Sequence, residues 1–223
     1  MAVTLTYRDA VAVLDIGDDE NRFSPAWLDE TEAALDRVLA GEPTALVTTA
    51  TGKFFTNGLD LEWLLANAGE WTSYAERVQR LLERVLTLPV PTIAAVNGHA
   101  FGAGAMLAIA HDFRVMRSDR GFLCLPEVDI RIPFTPGMSA LIQSKVTPQT
   151  AVLAMTTGRR FGGPDAMAAG LVDAVAEEAD LLDAAVSNVA LLVGKDPATL
   201  GTIKATMYAD ACAALLSPIA PPA

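Results

Sequence analysis

The chain has 223 residues, 52% of them hydrophobic and 19% charged, with 16 basic side chains against 27 acidic ones and a formal net charge of −11. A chain of this length buries roughly 70% of the surface its unfolded form exposes, so a sizeable core is available. The negative field speaks against nucleic acid and against docking on an anionic membrane, and the two cysteines, Cys124 and Cys212, suit a reducing compartment rather than a disulfide framework.

Leu5 and Tyr7 face Val11, Val13 and Leu14 across Arg8-Asp9-Ala10, which predicts a hairpin. Ser24-Pro25 opens a helix as cap and first helical residue, with Leu28, Leu35, Val38 and Leu39 on its apolar face and Gly41-Glu42-Pro43 at its end. Ala45–Thr49 reads as a buried strand, Thr51–Gly58 as a loop, and 72–86 as a helix with Val78, Leu81, Leu82 and Val85 inward. Thr92–Val96 is a second strand, Asn97–Gly104 a small-residue loop, Ala105–Ala110 a buried helix, and Phe113–Met116 and Phe122–Leu125 further strands. Helices follow at 139–145, 149–156 and 163–169, then a strand at 171–175 and two terminal helices at 181–193 and 198–215. Strands alternating with helices, without a linker or a fixed-period repeat, predict one α/β domain over 1–223 with a helical C-terminal part.

The most apolar stretch, Thr92 to Ala110, is broken by Asn97, His99 and three glycines, short of the ~18–20 uninterrupted apolar residues of a membrane-spanning helix. Neither Met1-Ala2-Val3-Thr4 nor Ala220-Pro221-Pro222-Ala223 reads as a targeting signal, so the expected location is the cytoplasm.

His99 and His111 stand alone, without cysteine or carboxylate at metal-ligand spacing, so no metal site is expected and His111 reads as structural. No Gly-x-Ser-x-Gly elbow is present, and Gly98-x-x-x-Gly102-x-Gly104 does not match the dinucleotide fingerprint. Small residues where a strand feeds a helix leave backbone N–H groups unpaired at the positive end of a helix dipole. Asn57-Gly58-Leu59 and Gly102-Ala103-Gly104 both fit that description and can converge on one oxygen; taken singly, each is more often merely a tight turn. Glu127, in Leu125-Pro126-Glu127-Val128-Asp129, follows an apolar strand, where desolvation makes a carboxylate a useful base; a solvated strand end is the alternative.

Phe54-Phe55-Thr56-Asn57-Gly58-Leu59-Asp60-Leu61, Pro91-Thr92-Ile93-Ala94-Ala95-Val96-Asn97-Gly98-His99-Ala100 and Pro126-Glu127-Val128-Asp129-Ile130 together resemble the enoyl-CoA hydratase/isomerase (crotonase) superfamily. Ser118–Phe122 and Glu127–Ile130 make the chain most similar to the Δ3,Δ2-enoyl-CoA isomerases of the short plant peroxisomal type. The resemblance implies a crotonase-like spiral of ββα units over about 1–175, with C-terminal helices over about 176–223.

It further implies an acyl-CoA thioester whose oxygen sits on the Leu59 and Ala103 amides, with Asn57, Gly58, Asp60, Leu61, Met106 and Lys204 around the substrate. Hydratases of the family use two glutamates, and here Met106 occupies the first position, leaving Glu127 alone. One acid/base with an apolar neighbour that excludes water is the isomerase pattern; a plain core methionine is the alternative. No cofactor is implied, since CoA is part of the substrate, and a homotrimer or a dimer of trimers is expected. Lys53 and Lys204 are candidates for the CoA phosphates, with ordinary surface charge as the alternative for each. Arg131 replaces a common glycine, where it either pairs with Asp129 or narrows the substrate range. A hydratase, thioesterase or decarboxylase of the same fold, and an idle acyl-CoA-binding protein, stay open.

Overall fold

The computed structural model describes residues 3–42 and 44–219. Pro43, read as ending the first helix, and Met1–Ala2 and Ala220–Ala223, read for targeting signals, lie outside them. Asp9, at φ 52, turns β1 (Thr4–Arg8) antiparallel onto β2 (Val11–Asp15). Ser24 caps α1 (Pro25–Ala40) by accepting the Trp27 N–H at 3.2 Å. Leu28, Leu35 and Val38 are buried as expected, whereas Leu39 is 41% exposed because it falls off the apolar stripe.

Three turns of a spiral follow. β3 (Ala45–Thr49) leads into β4 (Phe54–Thr56), then α2 (Leu61–Ala66) and α3 (Trp71–Leu86). β5 (Thr92–Val96) leads into β6 (His99–Phe101) and α4 (Ala103–Ala110). β7 (Phe113–Arg117) leads into β8 (Leu123–Cys124) and α5 (Glu127–Ile130). The first strand of each turn joins a six-stranded sheet in the order β1-β2-β3-β5-β7-β9, parallel except for β1, where β9 is Ala174–Ala176. The second joins a small parallel sheet, β4-β6-β8.

β4, β6 and α2 lie where the sequence predicted no regular structure. Strands of three residues are too short to display an alternation, and Gly98 belongs to the bend between sheets. The strand expected at 171–175 is formed only at 174–176; Leu171 and Val172 instead close the turn after α8 (Gly163–Ala168) by donating to Ala166 O.

Alternation along the large sheet sorts the core into two layers. Val11, Val13, Val47, Ile93 and Val115 meet Leu181, Ala185 and Val189 of α9 (Leu181–Ala190) on one face. Leu14, Leu46, Ala94, Val96 and Met116 face the main core of α1, α3 and α4 on the other. His111 closes that layer: Nδ1 donates to Leu107 O and Nε2 accepts from Thr48 Oγ1, each at 2.8 Å, and burial pushes its pKa down to about 4.

After α6 (Pro136–Lys145) and α7 (Pro148–Thr157), the single terminal helix expected at 198–215 is two, α10 (Pro197–Met207) and α11 (Ala209–Leu215). The break at Tyr208 lets the two pack differently: α11 lies along α6, and α10 drives Lys204 into the protein. Lys204 Nζ donates to Leu88 O and Val90 O, both at 2.8 Å, and to Asp112 Oδ2 at 2.6 Å. All three ammonium protons are used, so the assignment of Lys204 to the substrate is corrected: it is a buried anchor. Lys204→Met removes the partner of Asp112 and orphans two carbonyls. It is expected to cost about 3 kcal/mol, a Tm decrease of roughly 6–12 °C by calorimetry. A Tm change below about 2 °C would contradict this anchoring.

Candidate active site

β4, β6 and β8 run parallel and adjacent, so the turns at their C-terminal ends lie side by side. Those turns are Asn57-Gly58-Leu59, Gly102-Ala103-Gly104 and Pro126-Glu127: three spiral repeats deliver three functional groups to one edge. The first two turns touch. A Cβ on Gly58 (φ +76) would stand 2.7 Å from Phe101 O and 3.0 Å from the Ala103 and Gly104 nitrogens, and one on Gly104 would stand 2.4 Å from Thr56 O. Only glycine permits that approach.

Gly102, at φ 52, swings the chain from β6 into α4, making Ala103 the first helical residue, with its N–H unpaired among the described residues. The Cβ of Ala103 is harmless there, because Ala103 itself has helical geometry. Leu59 N–H is likewise free among the described residues. A brace fixes its loop: Thr56 Oγ1 donates to Asn21 O at 2.7 Å and accepts from Gly58 N at 3.0 Å, while Phe23 N donates to Gly58 O at 2.8 Å.

Glu127 is 8% exposed, and its Oε2 has no hydrogen-bond partner. Oε1 would lie 3.4 Å from a Cβ on Gly102, so the carboxyl sits above the turn that presents Ala103. Desolvation pushes its pKa up to about 7, against a smaller lowering by a backbone hydrogen bond. Together these groups line a cavity of about 350 Å³ with Met106 and Phe134. Two unpaired N–H groups in neighbouring turns and one desolvated carboxyl on the same cavity are the kinds of group that chemistry at a carbonyl with proton transfer beside it requires.

Residues 6–219 match the family described as enoyl-CoA hydratase/isomerase. The chain belongs to that family. It is 37% identical to enoyl-CoA delta isomerase 2, peroxisomal, of Arabidopsis thaliana over 188 residues, which are 79% of this chain and 78% of that one. It is 35% identical to enoyl-CoA delta isomerase 3 of the same plant, covering 94% of this chain and 93% of the relative. A probable enoyl-CoA hydratase from Mycobacterium tuberculosis superposes with a TM-score of 0.89 at 26% identity, covering 96% of this chain and 91% of the other. The spiral is thus the crotonase fold, with mixed α/β layers and a helical C-terminal part.

Of the residues this enoyl-CoA hydratase/isomerase family member was expected to use, Leu59, Ala103, Glu127, Asn57, Leu61 and Met106 line the cavity, and Gly58 backs it. Asp60 does not: its Oδ1 caps α2 by accepting the Trp63 N–H at 3.1 Å, and its own N–H donates to Tyr74 Oη at 2.9 Å. Lys204 faces a separate cavity beside Asp112. Lys53 is exposed, with Nζ 5.1 Å above the Phe54 ring. Arg131 forms no ion pair with Asp129; it ends α5 in the left-handed region at φ 60 and borders a second cavity, of about 510 Å³. That conformation explains why glycine suits the position. Trp71, Phe134 and Arg160 also line the first cavity, and sequence reasoning missed all three. They come from α3, the segment before α6 and the segment after α7, which only the tertiary fold brings together.

Among the described residues no three His, Cys, Asp or Glu side chains gather as a metal site, and no helix is long and apolar enough to cross a membrane.

The raised pKa of Glu127 has a thermodynamic consequence. An acid raised from 4.5 to about 7 leaves stability untouched below pH 4.5 and lowers it progressively as pH rises through 7. Glu127→Gln removes that penalty. At pH 8 the variant is expected to exceed the parent by an amount on the order of 3 kcal/mol in urea unfolding, with the difference gone near pH 4. Equal stabilities at pH 8 would mean that the carboxylate is solvated.

Proposed function

We propose that the protein is a Δ3,Δ2-enoyl-CoA isomerase. A 3-enoyl-CoA thioester carbonyl accepts hydrogen bonds from the Leu59 and Ala103 amides. Glu127, ionised, takes a proton from C2, and the electrons move onto the thioester oxygen as a dienolate. Each fixed donor is worth ~2.7–4 kcal/mol to such a charge, since it needs no reorientation as the charge forms. The C3=C4 π pair then collects the proton from Glu127 at C4, the C2=C3 bond forms, and the carboxylate is regenerated. Atoms and charge balance without a metal or redox cofactor, so the reading calls for none.

The observation that carries this reading is the single desolvated carboxyl, with Oε2 unpartnered, on the cavity that the two free amides also line, with Met106 rather than a second acid beside it. Hydration requires a water held and activated at C3. Met106, 1% exposed, gives no polar partner for one. The names of the two Arabidopsis relatives support the same choice.

The proposal also includes a homotrimer or dimer of trimers, supported by the exposed apolar side chains Leu191 and Met207, 85% and 64% accessible, on the C-terminal segments. It keeps a cytoplasmic location, consistent with two free cysteines, although one relative's name puts that protein in the peroxisome.

Purified protein is expected to convert 3-enoyl-CoA to 2-enoyl-CoA and to leave 2-enoyl-CoA unhydrated; hydration without isomerisation would replace the reading with a hydratase. Glu127→Gln is expected to lower kcat by ~10²–10⁴ while acyl-CoA binding, followed by calorimetry, persists. Unchanged turnover in that variant would reject Glu127 as the base. In the parent, kcat/KM is expected to rise with pH through a midpoint near 7, because only the ionised acid accepts a proton. A rate flat from pH 5 to 9 would count against the assignment.

A further inference from the structure

Arg131 is exposed, and neither the packing nor the proposed reaction uses its charge. It holds φ 60 and ψ 33, and the two other non-glycine residues at positive φ, Asp9 and Asn21, are of types that enter that region readily. Arginine is not, so a glycine would hold this backbone at lower cost. The guanidinium has no hydrogen bond or ion pair among the described residues. Asp129, two residues earlier, turns its carboxylate against Gly158 instead, where an added Cβ would stand 2.2 Å from Asp129 Oδ2. Glu127 is four residues earlier, and burial rather than Arg131 sets its ionisation.

Arg131 borders the second cavity, of about 510 Å³, and is its only charged lining residue among those described. That cavity adjoins the one that Glu127 lines: Trp71, Ile132, Pro133, Phe134 and Thr135 belong to both. An acyl chain that leaves the first cavity past Trp71 and Phe134 therefore enters the second. The polar side chains met there are already engaged. Gln79 Nε2 donates to Leu215 O at 2.9 Å, Gln79 Oε1 accepts from Thr135 Oγ1, and Ser217 Oγ donates to Ala213 O at 2.7 Å. The guanidinium is left as the free donor, at an exposed position where a terminal charge keeps part of its hydration.

We infer that Arg131 binds a carboxylate at the far end of the acyl chain, which makes CoA monothioesters of unsaturated dicarboxylic acids substrates of this site. The inference rests on the isomerase reading above and narrows its substrate class. A carboxylate accepts two parallel N–H bonds from a guanidinium, a fit in geometry as well as in charge. No acid among the described residues lines the second cavity to compete for Arg131. A protein of net charge −11 repels a further anion on its ligand, so a preference for one needs a local cation. A methyl-ended chain gains nothing from Arg131 and sets apolar carbons beside a charge.

The test uses the full chain and a homologous series of saturated acyl-CoAs, each compared with the acyl-CoA of equal length that ends in a carboxylate. Calorimetric titration, which needs no turnover, is expected to show about tenfold tighter binding of the carboxylate-ended member once the chain reaches Arg131. Shorter members are expected to show no preference. Added salt is expected to weaken the preference, because the guanidinium is exposed. Arg131→Met is expected to abolish it and Arg131→Lys to retain part of it. Arg131→Gly, which suits a φ of 60, is expected to abolish it without straining the backbone. In Arg131→Met and Arg131→Gly, the ratio of kcat/KM for carboxylate-ended over methyl-ended 3-enoyl-CoAs is expected to fall about tenfold. Equal binding of the two series at every length, or a preference that survives Arg131→Met and Arg131→Gly, overturns the inference. A parent that prefers carboxylate-ended ligands in calorimetry but isomerises no 3-enoyl-CoA overturns the functional reading and leaves the subsite standing.

Discussion

The site depends on one close approach, that of the Gly58 turn to the first turn of α4. A Cβ on Gly58 would stand within about 3 Å of the backbone of Phe101, Ala103 and Gly104, so the two segments leave no room for a side chain. The approach sets two unpaired amides beside each other, at the ends of adjacent parallel strands that lie roughly 4.8 Å apart. Everything else around the cavity holds this contact or uses it. The Asn21–Thr56 hydrogen bond braces one side, the positive φ of Gly102 aims the other, and the third strand of the same sheet delivers Glu127.

Electrostatics follow from that arrangement. The N-terminus of α4 and the free Leu59 amide give a fixed positive focus, without any ionisable group that water would screen. Beside it lies a carboxyl that burial keeps near its ionisation midpoint at neutral pH. A more solvated acid would be too weak a base, and a fully buried one with a polar partner would not release a proton. Met106 and Phe134 set the balance by excluding water while offering the carboxyl no hydrogen bond. The site therefore gives up stability for reactivity, and the close-packed core under the large sheet sustains that loss.

Much of this was legible in the chain itself. Ser24-Pro25, the apolar face of α3 and the buried runs at Ala45–Thr49 and Thr92–Val96 announce themselves by capping chemistry and periodicity. The two glycine turns and Glu127 were legible because few residue types serve those purposes. The small sheet was not: β4 and β6 have three residues each, and their pairing is purely long-range. Nor was the role of Lys204, whose position on a terminal helix looks like surface charge until the break at Tyr208 turns it inward. Asp60 carries a motif match yet caps a helix, so a family pattern and a local structural need fall on the same residue. Trp71, Phe134 and Arg160 had no local signal, since each joins the cavity only through packing of distant segments.

The desolvated state of Glu127 underlies the proposed base, its expected pH profile and the stability penalty together. Carbon-13 NMR titration of the glutamate side-chain carboxyls, with the Glu127 signal identified by its absence from Glu127→Gln, measures it directly. The account predicts a midpoint near 7 for that one resonance. A midpoint near the ordinary 4.5 would show a carboxylate in contact with bulk water and would contradict the account at its centre.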